Sequence, residues 1–81
     1  MRFTILTPIP VNSTLLASVA YDAARSLLEL EFRDGAIYQY TAVPESLHRD
    51  LMAAESHGAY FNQHIRNRFN DKRIRPPKAT C

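Results

Sequence analysis

Between Leu27 and Thr41 two alternating runs meet at Asp34-Gly35, and no other stretch constrains the fold as much. Leu28, Leu30 and Phe32 alternate with Glu29, Glu31 and Arg33, the period of a strand with one buried and one wet face. Tyr38 and Tyr40 flank Gln39 on the return. Two turns compete for this hairpin. A two-residue loop on Asp34-Gly35 would set Gln39 and Thr41 opposite Leu30 and Leu28, whereas a three-residue loop, Arg33-Asp34-Gly35 with Gly35 left-handed, sets Tyr38 and Tyr40 there. A slip of one residue sends every side chain to the opposite face. The three-residue loop is preferred, because it groups Tyr with Leu on the core face and leaves Glu29, Glu31, Gln39 and Thr41 outside.

An 81-residue chain has room for one small core, and its 46% hydrophobic content argues for a folded domain. The single cysteine, Cys81, has no internal partner, so no disulfide framework points to secretion and a cytoplasmic location is expected. Met1 to Leu6 is too short a run for a signal h-region or a membrane span. It reads as an edge strand or extended arm, stopped by Pro8 and Pro10, so residues 1–12 are set apart from the domain proper. Val19 and Tyr21 share a parity, and the segment Asp22 to Ser26 connects them to the central hairpin, completing a three-stranded meander.

Such a sheet needs a cover, which the second half supplies. Pro44 and Glu45 mark a helix start that carries Leu47 and Leu51 at i,i+4 and runs to about Ala54. Ser56 caps a second helix bearing Phe61, Ile65 and Phe69 at the same spacing, with Tyr60 beside them and Asn62, Gln63, Arg66 and Asn67 turned outward. Residues 70–81 show no periodicity and read as a flexible basic tail. The expected fold is therefore α+β: a three-stranded antiparallel β-meander packed against two C-terminal helices, with an extended N-terminal arm, a domain over residues 13–69 and that tail.

Ser13, the run Val19-Ala20-Tyr21-Asp22, Leu28 to Phe32, Gly35, Tyr38-Gln39-Tyr40, Val43-Pro44, and Ser56 to Asn62 with Ile65-Arg66 together resemble the KTSC-domain family in order and spacing. The resemblance spans roughly Ser13 to Phe69, with Ala20 standing where the family usually has glycine. It implies a bacterial module found at the C-terminus of some lysyl-tRNA synthetases and as small stand-alone proteins, with Tyr-x-Tyr as its hallmark. The family has no established function, and the synthetase fusion suggests RNA binding.

Charge divides unevenly. Met1 to Ala54 has four Arg against six acids, or −2, whereas Glu55 to Cys81 has six Lys or Arg against two acids, or +4. Arg66, Arg68, Lys72, Arg73, Arg75 and Lys78 can track a phosphate backbone without reading sequence. Tyr38 and Tyr40 can stack on unpaired bases, although the preferred register makes them core first. His48, His57 and His64 lack zinc-like spacing, so neither a metal nor a cofactor is expected. Ser56 beside His57 is better explained as a cap than as a nucleophile, and Gly35 and Gly58 form no phosphate loop, so the chain is not expected to be an enzyme. Three function classes follow: an RNA-binding module first, a protein-interaction or homodimerising module second, and an enzyme well behind.

Overall fold

In the computed structural model, which describes residues 7–78, the elements run β1 (Ile9–Pro10), β2 (Leu16–Asp22), β3 (Leu27–Phe32), β4 (Ile37–Tyr40), α1 (Glu45–Ala53), α2 (His57–His64) and β5 (Asp71–Arg75). The described strands form one antiparallel sheet in chain order, β1 to β5. The hairpin takes the three-residue loop. Gly35 sits at φ +96°, where a Cβ is disfavoured, and the Phe32 N–H donates to the Ala36 carbonyl at 2.8 Å across the loop. Leu28 consequently faces Tyr40 and Leu30 faces Tyr38, the expected register. Val19 and Tyr21 of β2 continue these two rows opposite Leu30 and Leu28.

The inner face packs under both helices in one cluster that unites Leu16, Val19, Leu28 and Leu30 with Leu51, Phe61 and Ile65. Helix α1 starts where expected, but Pro44 is its N-cap rather than its first helical residue. Ser56 caps α2, its Oγ accepting from the Ala59 N–H at 3.1 Å. Where α2 crosses the segment before β2, a Cβ on Gly58 would lie 3.1 Å from the Leu15 Cβ, so glycine permits the close approach. Polar ladders occupy the outer face: Gln39 donates to Glu29 at 2.9 Å, and Ser18 donates to Glu31 at 3.2 Å.

Three expectations are corrected. α2 ends at His64, so Ile65 is its C-cap and Phe69 lies beyond it, past the left-handed Asn67 at φ +63°. The sheet has five described strands rather than three, because Ile9–Pro10 pairs with Val19 and Ser18 at one edge and Asp71–Arg75 pairs with β4 at the other. The flexible tail is thus, over most of its described length, an edge strand. Its Arg75 donates to the Gly35 carbonyl at 2.7 Å and to Glu31 at 3.0 Å, and the Lys78 N–H reaches the Asp34 carbonyl at 2.8 Å. Arg75 and Lys78 thereby close over the hairpin turn. An edge strand bearing Lys72, Arg73 and Arg75 lacks the alternation of a half-buried strand, which hid it in the sequence. The edge strand expected over Met1 to Leu6, and Cys81, lie outside the described residues.

Candidate nucleic-acid interface

Register brings Tyr38, Tyr40 and Arg73 to one face of the sheet. Arg73 stands opposite Tyr38, Asp71 opposite Tyr40 and Lys72 opposite Gln39. Opposed residues share a face, so Arg73 and Asp71 extend the tyrosine rows on the helix side, while Lys72 lies on the outer side with Gln39 and Glu29. Tyr38 is half-buried and Tyr40 buried, their rings 6.4 Å apart and inclined at 28°. Phe61 of α2 meets Tyr40 and Phe32 edge-on at 5.9 and 5.3 Å.

These rings form the floor of an open cavity of about 330 Å³ between the sheet and the end of α2. Asn62, Arg66, Asn67 and Asp71 form its polar rim. A second, more polar concavity of about 320 Å³ is bordered by Thr41, Arg68 and Asn70, and Asn67 borders both. This partition follows from the end of α2. The Arg66 N–H closes on the Phe61 carbonyl at 2.9 Å, and Asn67, at φ +63°, turns the chain toward β5 and leaves Arg66 and Arg68 on either side of it. Burial pushes the Tyr40 hydroxyl well above the ordinary tyrosine range; Asp71 and Tyr38 add to the shift, and Arg66 opposes it. Tyr40 is therefore a neutral hydroxyl at physiological pH, close to one acid and one base.

Arg66, Arg68 and Arg73 are exposed on this side, and Lys72 is exposed on the outer side of the same edge strand. Arg75 is different, because its guanidinium is engaged by Glu31 and the Gly35 carbonyl. Sequence reasoning missed Asn62, Asn67 and Asp71 as parts of this constellation. Asn62 and Asn67 were read only as outward polar positions, and Asp71 acquires its place only once β5 pairs with β4. Elsewhere, His57 Nδ1 lies 2.8 Å from the Leu51 carbonyl, which ties it to the link between the helices. Among the described residues no group of three or more His, Cys, Asp or Glu side chains could hold a metal ion, and no helix is long and apolar enough to cross a membrane.

An antiparallel sheet with two helices on one face and an aromatic cavity at their junction defines a small α+β module. A family model for the KTSC domain matches residues 12–69, and the chain belongs to that family. A crystal structure of a KTSC domain protein from Yersinia pestis superposes with a TM-score of 0.84 at 37% identity, over 86% of this chain and 99% of that one. A protein of Tsukamurella paurometabola is 42% identical over 60 residues, 74% of this chain and 90% of its own length. A lysine–tRNA ligase of Nostoc punctiforme is 31% identical over 74 residues, which is 91% of this chain but 13% of the ligase.

Proposed function

We propose that the chain is a small, non-enzymatic, cytoplasmic RNA-binding module whose contact surface runs from the turn after α2 across β5. The observation carrying this reading is that β5 pairing puts Arg73 opposite Tyr38 on the helix side, where Arg66 borders the aromatic cavity and Arg68 the adjoining concavity, with Lys72 on the outer side of the same edge strand. Cations along an edge suit a phosphate backbone, and aromatic rings beside it suit unpaired bases, each stacked base contributing about 1–3 kcal/mol. The Nostoc punctiforme relative is a lysine–tRNA ligase, a setting in which a shared domain that touches RNA is useful. This last support is by analogy of domain.

Self-association, the alternative, has weaker support. Ile9 and Ile74 are the large apolar residues most exposed among those described, and they lie on opposite edge strands. One edge is a two-residue strand ending in proline and the other carries three cations, features that resist strand addition.

Fluorescence anisotropy with a labelled single-stranded RNA oligonucleotide tests the reading. Affinity should fall as salt rises from about 50 to about 200 mM, with a log–log slope of about −0.7 per phosphate contact. The pair Lys72→Glu and Arg73→Glu should weaken binding and flatten that slope. No binding at low salt, or unchanged binding by the double variant, would overturn it.

A further inference from the structure

The two concavities that meet at Asn67 are unlike in a way that a plain electrostatic surface does not need. One is floored by aromatic rings and carries both Asp71 and Arg66 on its rim; the other is polar and carries Arg68 as its one charged lining residue. A carboxylate repels phosphate, so the polar lobe, with Arg68 and no acid, suits a phosphate better than the aromatic lobe does. The same carboxylate accepts hydrogen bonds from the N–H edge of a base, and a flat ring on Tyr38 presents that edge to the rim. The cavity is at the small end of ligand pockets, which run from about 300 to 1,000 Å³.

Resting on the RNA-binding reading, we infer that this cleft takes one unpaired nucleotide, with its base in the aromatic lobe and its phosphate in the polar lobe beside Arg68, and that Asp71 selects guanine. Guanine is the base that offers two adjacent donors, N1–H and N2–H₂, to the two oxygens of one carboxylate. Uracil offers a single ring N–H between two carbonyls, which a carboxylate repels. Adenine and cytosine each offer an exocyclic amine next to an acceptor nitrogen. Arg66 borders the same aromatic lobe, where its guanidinium can donate to the guanine O6 acceptor. Asn67 is the hinge of the arrangement, since its left-handed backbone sets Arg66 and Arg68 apart on the two lobes.

Titration of the ¹⁵N-labelled chain with the four 5′-monophosphates GMP, AMP, CMP and UMP, followed residue by residue in NMR spectra, tests the inference. GMP should shift the amides of Tyr38, Asn62, Asn67 and Asp71 and bind about fivefold or more tighter than UMP, as expected for one specific base edge. Asp71→Asn, at an exposed side chain, should bring GMP down to the level of UMP while the spectrum stays dispersed. Equal shifts by all four nucleotides, confined to Lys72 and Arg73, would overturn the cleft while leaving the RNA-binding reading intact. Failure of single-stranded RNA itself to bind at low salt would overturn both. Displacement of the same amides by a phenylalanine-containing peptide and by none of the nucleotides would assign the cavity to a protein partner and overturn the inference.

Discussion

Gly35 holds the turn by two separate means. Its φ of +96° is disfavoured for any side chain, and a Cβ there would meet the Lys78 Cγ at 2.6 Å and the Lys78 backbone nitrogen at 3.2 Å. Gly35→Val should therefore cost about 1–2 kcal/mol or more, read as a lower urea midpoint; an unchanged midpoint would mean that the loop adopts another form. Phe61 is buried between Phe32 and Tyr40, so Phe61→Ala should cost about 3–5 kcal/mol and bring a domain of this size close to unfolding. His48 stacks on Tyr21 with centroids 4.6 Å apart and planes 10° from parallel, and burial lowers its pKa while Glu45 partly opposes the shift. A histidine whose pKa is lower in the folded state contributes stability that is complete above its unfolded pKa and is lost as pH falls. Unfolding midpoints should accordingly fall between pH about 7.5 and about 5.5, and His48→Gln should remove that dependence.

Elements with local punctuation were legible. The central hairpin follows from Asp34-Gly35 and strict alternation, and its register follows from the demand that Tyr and Leu share a face. Both helix starts follow from Pro44 and Ser56, and α1 from Leu47 and Leu51 at i,i+4, but the Phe61-Ile65-Phe69 spacing overran α2, which ends at His64. β5 was not legible, because its stability comes from the neighbouring strand rather than from its own pattern: five residues with three cations and one apolar side chain carry no period. Ile74 is the extra residue where the β4–β5 register shifts, and it is exposed. Once pairing is known, removal of residues 70–81 cannot be neutral. The truncated chain loses the β4–β5 ladder and the Arg75 bonds to Glu31 and Gly35, which at about 1 kcal/mol per net hydrogen bond is a loss of about 2 kcal/mol or more. Thermal melting should fall by roughly 10 °C, and hydrogen exchange at Gln39 and Tyr40 should accelerate; an unchanged melting curve would show that β5 contributes nothing to stability.

For the molecule as a whole, the candidate surface was half visible in advance. The charge asymmetry named Arg66, Arg68, Lys72, Arg73, Arg75 and Lys78, and the alternation named Tyr38 and Tyr40, but only sheet order sets Arg73 opposite Tyr38. The contribution of Arg75 to the fold and of Asp71 to the cavity both depend on long-range pairing that no local spacing encodes. The central proposal is an RNA-contacting face assembled from the turn after α2 and from β5. Its most direct test is an NMR titration of the ¹⁵N-labelled chain with a short single-stranded RNA containing guanines, at low and at near-physiological salt. Shifts should concentrate at Tyr38, Arg66, Asn67, Arg68, Lys72 and Arg73 and diminish with added salt. A spectrum that does not change at low salt, or one that changes only along α1 and β1, would contradict it.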